Sequence, residues 1–438
     1  MSRLGHVTSS VIPCNTSGLM SEPASADFCH LVDSRFLKPQ YQPIFDLVSG
    51  EQVGAEALAR WPELQIAPDE AFWWAAQKGR LAELDEACRN AAILDAVAHD
   101  LPTRFELFVN LEPSVLGPDT ASRLLAHAAG RIGLVVEITE RALMDRPSEL
   151  LLSVNQLRDA GCGIALDDVG SLPDSLALLP FIAPDVVKLD VSLVQRWPDV
   201  DRAAIYTSVA AYAERTGATV LAEGIESDLH LRRALALGAT LGQGWYLGRP
   251  GPLGTVANPS RPLRVHQPLG TTTANPFDDV NPAKVRVGAK GVLLGISQHL
   301  EHQGMALETP PVVLGAMQFA RNFTPRTARR YSHLGGRCPL VAVLGAGFSA
   351  RPVEGVRGVA LAADDPLLGD WVVTVVGSHY AGALIAHDLG DSGTDLDRRF
   401  AFVLTHDHGT VIAAARSLLG RVTSASGIPD PAAVLVRS

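Results

Sequence analysis

Between Gln40 and Pro250 the chain keeps returning to one arrangement: a short apolar run that ends on a polar residue, then a stretch with helical spacing. The runs are YQPIFDL, FELFVNL, LVVEITE, GIALDDV, DVVKLD, TVLAEGI and GQGWYLG. Apolar runs of this length suit strands buried on both faces, and strands that alternate with helices imply a parallel sheet. The stretches between them, among them Asp119–Arg131, Ser148–Gly161, Arg202–Gly217 and Asp228–Gly238, are spaced as helices and often stop at glycine. The interval from Glu56 to Asn110 has room for two more helices, about Asp69–Lys78 and Leu81–Ala98. With GAEALARW (Gly54–Trp61) counted as a strand, eight strands are available, enough to close a TIM-type (β/α)8 barrel.

The polar residues that close the runs are Glu56, Asn110, Glu137, Asp167 with Asp168, Lys188, Glu223 and Gln243. Each has a plainer reading on its own. Glu56 and Arg60 suit the exposed side of an Ala/Leu helix, Asp168 before Val169-Gly170 suits a turn, and Asn110 suits a helix cap. In a barrel, however, the C-terminal strand ends meet at one mouth, so the set would converge. Carboxylates and an amide, with no Cys or His nearby, are hard oxygen ligands for Mg²⁺ or Mn²⁺. Adjacent aspartates can serve two ions, and paired ions clamp a phosphodiester in line, with Lys188 orienting water or neutralising phosphate charge. Phosphodiester hydrolysis is the reaction class expected.

The same residues resemble the EAL domains, phosphodiesterases that cut the bacterial second messenger cyclic di-GMP (c-di-GMP) to linear pGpG. Glu56-Ala57-Leu58 is the motif that names them. Gln42-Pro43-Ile44, Asn110-Leu111, Glu137-Ile138-Thr139-Glu140 and Asp167-Asp168 are similar to further motifs of that family, in order. So are Lys188-Leu189-Asp190, Ala222-Glu223-Gly224-Ile225-Glu226 and Gln243-Gly244-Trp245-Tyr246. The resemblance implies that Glu56, Asn110, Glu137 and Asp167 hold one of two ions and that Asp167 and Asp168 help to hold the other. It implies that Lys188, Glu223, Glu226 and Gln243 surround the attacking water, and that Gln42 and Arg60 contact the dinucleotide. A homodimer through the barrel is a further implication.

One stretch departs from the family. Where active relatives read DDFGTGYS, this chain reads DDVGSLPD from Asp167 to Asp174. Ser171 keeps a hydroxyl for Glu140, but Leu172 and Pro173 remove backbone freedom. Two functions follow: a Mg²⁺- or Mn²⁺-dependent phosphodiesterase, or a c-di-GMP receptor with weak or absent turnover.

A chain of 438 residues exceeds one ordinary core. Residues 1–26 read as a mobile tail, 27–252 as the barrel, 253–284 as a Pro/Gly/Thr-rich linker and 285–438 as a smaller mixed α/β domain. In the last, Lys290–His302, Pro311–Phe323, His379–Leu389 and Gly409–Leu419 read as helices, and LVAVLGAGF, GVRGVALA, WVVTVVG and RRFAFVLTHD as strands. Met317-Gln318-Phe319, Asp365-Pro366-Leu367, Asp370-Trp371, Arg398-Arg399-Phe400 and Leu404-Thr405-His406-Asp407 make it resemble the DICT sensory domains. Thr405-His406-Asp407-His408 suits a strand-end turn and helix cap better than a metal site lacking further ligands, and Gly345-Ala346-Gly347 lacks the third glycine of a dinucleotide fingerprint.

A net charge of -10 argues against DNA, RNA or anionic membranes as partners. Five scattered cysteines without a CxxC pair fit a reducing cytoplasm. The most apolar stretch, Trp371–Leu389, is interrupted by His379 and His387 and is no membrane span, and the first residues lack the apolar core of a signal peptide.

Overall fold

A computed structural model describes residues 28–99, 101–102, 104–112, 132–139, 146–170, 176–197, 199–254, 256–257, 259, 263, 273–392 and 394–422. The expected tail 1–26, the expected helix Asp119–Arg131, Glu140 and the loop residues Ser171–Asp174 lie outside them.

Eight strands close a barrel in sequence order: β1 (Lys38–Asp46), β2 (Gln52–Arg60), β3 (Glu106–Asn110), β4 (Gly133–Thr139), β5 (Gly163–Val169), β6 (Val186–Leu189), β7 (Thr219–Ala222) and β8 (Leu241–Gly242). The expected uniformly parallel sheet is corrected at its first strand, since β1 runs antiparallel to both β2 and β8. The cause is local. Asp46 accepts the N–H groups of Val48 and Ser49, both at 2.8 Å, and Gly50 takes φ 72°, so a tight turn reverses the chain where a parallel crossover would need a helix.

Around the strands run α1 (Phe28–Val32), α2 (Pro68–Gln77), α3 (Leu81–Ala98), α4 (Pro147–Asp159), α5 (Leu179–Ile182), α6 (Val191–Gln195), α7 (Val200–Thr216) and α8 (Asp228–Ala236). Three of them start at a cap, where Asp190, Asp199 and Ser227 accept from the Ser192, Arg202 and His230 N–H groups, while α2, α4 and α5 have no side-chain cap and start at a proline. GAEALARW is therefore strand, not helix. Trp61 at its end is buried and donates its indole N–H to Leu31 O at 2.9 Å, tying α1 to the barrel.

The second domain contains β9 (Arg286–Ala289), α9 (Lys290–Ala306), β10 (Val312–Phe319), α10 (Pro325–Gly335), β11 (Val341–Ala346), β12 (Arg357–Ala360), β13 (Asp370–Val376), β14 (Ala381–Asp388), β15 (Arg399–Thr405) and α11 (His408–Leu419). Its sheet has the order β12-β11-β10-β13-β14-β15-β9. Two expectations fail here: Pro311–Phe323 and His379–Leu389, read as helices, form β10 and β14. Both strands are central and buried on both faces, and a continuous apolar run carries no period to separate strand from helix. Leu293 and Leu300 of α9 and Tyr331 and Leu334 of α10 pack on one face of the sheet. On the other face α11 lies between the sheet and barrel helices α4 and α5, and one apolar cluster runs through all three. Residues Asn275–Phe277, within the expected linker, fold against this domain, with the Phe277 ring 5.4 Å from that of His387. Asp407 caps α11 through Thr410 N–H at 2.9 Å, as the cap reading expects.

Candidate active site

Side chains alternate along a strand, so every second residue faces the barrel axis. One inward layer is apolar: Ile44, Val53, Phe108, Val135, Ala165, Val186, Leu221 and Leu241 form a single cluster. The next inward positions toward the mouth, two residues on, are Asn110, Glu137, Asp167, Lys188, Glu223 and Gln243. On the reversed β1 the equivalent step leads from Ile44 back to Gln42, which pairs in register with Glu56 on β2. The polar residues thus lie one pleat above the apolar floor.

At their centre is Lys188, 1% exposed. Its Nζ lies 2.7 Å from Glu137 Oε1, 2.9 Å from Glu223 Oε1, 3.0 Å from Asp167 Oδ1 and 3.5 Å from Glu56 Oε2. Gln243 Nε2 donates to Glu56 Oε2 at 2.7 Å and to Gln42 Oε1 at 3.0 Å, and Asn110 Nδ2 donates to Glu56 Oε1 at 3.2 Å. Burial opposes the charge of Glu56, Glu137, Glu223 and Lys188. It pushes Glu137 well above the ordinary carboxylate range, with the Glu56 charge adding to it, and pushes Glu223 up to about 8 against the pull of Lys188. For Glu56 burial is outweighed by Lys188, Gln243 and Asn110, which hold it below its ordinary value. Lys188 is held well above its own, because four carboxylates overcome the cost of burial.

Two neighbouring residues of a regular strand face opposite ways, yet Asp167 and Asp168 share the mouth. A bulge explains it: β5 pairs with β6 at Leu166 and next at Val169, against Val187 and Leu189, so β5 carries one extra residue. Asp168 absorbs the bulge at φ 57°, in the left-handed region that non-glycine residues enter at a cost, and its N–H bonds Asp167 Oδ1 at 3.0 Å. Oxygens of Asp167, Asp168 and Glu223 then lie within 4.8 Å of one another. Glu137 Oε2 is buried and accepts no hydrogen bond among the described residues. Five carboxyl groups crowd one ammonium, and the burial that disfavours the ionised forms of Glu137 and Glu223 marks a deficit of positive charge at the mouth. An all-oxygen donor set with this deficit fits hard divalent ions.

The other residues expected in the site are spread around it. Arg60 lies on the inward side of β2 beyond Leu58, half-buried, where desolvation lowers its pKa against the attraction of Glu56. Glu226 is exposed in the loop after β7, its N–H bonded to His230 Nδ1 at 3.3 Å. Glu140 and Ser171 fall outside the described residues. Support that sequence reasoning missed comes from Gln195, whose Nε2 donates to Gly224 O at 3.0 Å beside Glu223. Gly244 lets the β8 loop close on the β7 loop: a Cβ there would meet the Ile225 backbone at 2.3 Å. No local pattern announces Gln195, since its partner lies on another strand end.

A closed barrel with this acidic mouth defines an oxygen-donor, divalent-cation type of site on a TIM-type scaffold. Residues 27–250 match the family described as EAL domain, and the chain belongs to that family. Residues 273–389 match the "Sensory domain in DIguanylate Cyclases and Two-component system", or DICT. The chain is similar to the "Cyclic di-GMP phosphodiesterase RocR" of Pseudomonas aeruginosa, 31% identical over 251 residues that cover 52% of this chain and 61% of the relative. It is also similar to the "Probable cyclic di-GMP phosphodiesterase PdeG" of Escherichia coli, 29% identical over 48% of this chain and 44% of that protein. The chain therefore spans less than two thirds of the length of these curated relatives. A solved structure described as "PaMucR Phosphodiesterase, c-di-GMP complex" is 26% identical, with TM-score 0.47, covering 52% of this chain and 96% of its own. No helix among the described residues is long and apolar enough to cross a membrane.

Proposed function

We propose that the protein hydrolyses c-di-GMP to linear pGpG and that its second domain modulates this activity. The observation that carries the reading is Lys188 enclosed by Glu56, Glu137, Asp167 and Glu223, with Asp168 brought alongside by the bulge. Relatives named as c-di-GMP phosphodiesterases support the substrate. A site that only bound a dianionic ligand would gain nothing from so many carboxylates, which repel phosphate unless cations intervene.

In this reading Glu56, Asn110, Glu137 and Asp167 hold one Mg²⁺ or Mn²⁺ ion, and Asp167 and Asp168 help to hold a second. When bound, such ions supply Lewis acidity and a nucleophilic water. Glu223 accepts the proton of the attacking water, and Lys188, beside it at 2.9 Å, steadies the negative charge that develops on the phosphate. Gln243 fixes Glu56 and Gln42, and Glu226, from the loop after β7, joins Lys188, Glu223 and Gln243 around the attacking water. Gln42 and Arg60 contact the dinucleotide, the guanidinium of Arg60 through a phosphate.

The test is incubation of the full chain with Mn²⁺ and c-di-GMP, following pGpG by chromatography. Turnover is expected, and Glu56→Ala is expected to abolish it while leaving the thermal unfolding curve cooperative. Retained c-di-GMP binding without pGpG would make the protein a receptor instead.

A further inference from the structure

Lys188 and Leu189 end β6, and the chain then turns into α6, a short helix that lies over the ends of the two neighbouring strands, β5 and β7. Asp190 starts the helix by accepting Ser192 N–H at 2.9 Å, and its own N–H donates to Val169 O of β5 at 3.2 Å. Two glycines make room for it. A Cβ on Gly170, just after β5, would lie 2.5 Å from Leu193 Cδ1, and a Cβ on Gly224, just after β7, would lie 2.0 Å from Val191 Cγ2. The helix therefore rests on the backbone next to the paired aspartates and next to Glu223.

At φ 64° Gly224 occupies the left-handed region, which glycine enters and leaves freely, so the turn keeps its shape only if its peptide groups are held. The peptide that joins Gly224 to Ile225 is held at both ends. Its N–H, on Ile225, donates to Gln243 O at 3.0 Å, and its carbonyl, on Gly224, accepts Nε2 of Gln195, the last residue of α6, at 3.0 Å. A planar group bonded on two opposite sides cannot rotate. The peptide before it is held more loosely, since Glu223 N–H reaches Leu189 O at 3.3 Å. Gln195 is itself anchored: its carbonyl accepts Arg233 Nη1 of α8 at 2.8 Å, and the Arg233 guanidinium lies 4.2 Å above the Trp197 ring.

The side chain that this turn aims is Glu223, whose Oε1 lies 2.9 Å from Lys188 Nζ and whose carboxylate stands beside those of Asp167 and Asp168. Among the described residues Gln195 makes no hydrogen bond to the Glu223 side chain, so what it fixes is the backbone.

We propose that Gln195 is a positioning residue for Glu223, holding the peptide between Gly224 and Ile225 so that the carboxylate which takes the proton of the attacking water stays aimed at Lys188 and the paired aspartates. The chemical role of Glu223 rests on the hydrolase reading. The hold on the turn does not.

The test is Gln195→Met in the full chain, which keeps the length of the side chain and loses the donor, with the exposed neighbour Arg196→Ala as control. With Mn²⁺ and c-di-GMP, kcat is expected to fall about tenfold while KM stays within about twofold, because a misdirected base slows the chemistry without removing a substrate contact. Amide hydrogen exchange across residues 222–226 is expected to quicken about threefold or more, with β6 unchanged. The control is expected to match the wild type in both readouts. Unchanged kcat, or unchanged exchange across residues 222–226, would overturn the proposal. So would faster exchange throughout the barrel with a lowered thermal midpoint, which marks a structural role alone. A wild type that makes no pGpG would instead count against the hydrolase reading, and the exchange would then decide whether Gln195 holds the turn.

Discussion

The ammonium of Lys188 keeps carboxylates on four different strands within bonding distance of one point. Breaking a buried ion pair from one side costs roughly 3–5 kcal/mol, because the remaining charge has no solvent to take it. Lys188→Met is therefore expected to lower the thermal midpoint sharply in chelator and to recover part of the loss on adding Mn²⁺. Equal melting with and without Mn²⁺ would show that the carboxylates hold no cation. Asp168 carries the opposite balance, since its left-handed backbone costs about 1–2 kcal/mol that glycine does not incur. Asp168→Gly is expected to unfold at higher denaturant yet lose about a hundredfold or more in turnover. A variant both less stable and fully active would contradict the role of the bulge.

At the level of elements, the strands position the chemistry by their two-residue period, and the same period puts Glu106 at the foot of β3. It faces inward with Phe108, and its carboxylate occupies the notch left by Gly133, where a Cβ would lie 2.1 Å away. Burial pushes Glu106 up to about 7 from 4.5. The folded state thus holds this proton more tightly than the unfolded chain, so its stabilising effect is complete below pH 4.5 and is lost as the pH rises to about 7. Denaturant midpoints of the wild type are expected to fall more steeply across that window than those of Glu106→Gln, and parallel slopes would exclude Glu106 as the titrating group. The helices α7 and α8 were legible because the caps Asp199 and Ser227 and the glycines Gly217 and Gly238 mark their ends. The strands β10 and β14 were not, because a fully buried strand lacks the polar alternation that distinguishes it from a buried helix.

For the whole molecule, the second domain touches the barrel on helices that lead toward the mouth. Arg416 of α11 donates to Asn155 Oδ1 of α4 at 3.0 Å, and His379 Nε2 lies 3.0 Å from Ser208 Oγ on α7. One turn before Ser208, Ile205 flanks Gly170, where a Cβ would sit 3.2 Å from its methyl group, directly after the paired aspartates and Val169. Ser208→Val removes the hydrogen bond to His379 without opening a cavity. It is expected to change the rate of pGpG formation by the full chain while shifting stability by no more than about 1 kcal/mol. An unchanged rate would mean that the second domain does not act through α7.

Residue order alone determined the barrel, its number of strands and the polar residues that meet at its mouth. Each of those properties is written in short-range periodicity and in motifs a few residues long. Folding in three dimensions decided the reversed β1, the bulge that turns Asp168 to the same side as Asp167, and the enclosure of Lys188. It also decided the strand identity of β10 and β14 and the seating of α11 between two domains. These depend on which segment lies beside which, and hydrogen-bond partners and burial from distant parts of the chain leave no mark on the local pattern.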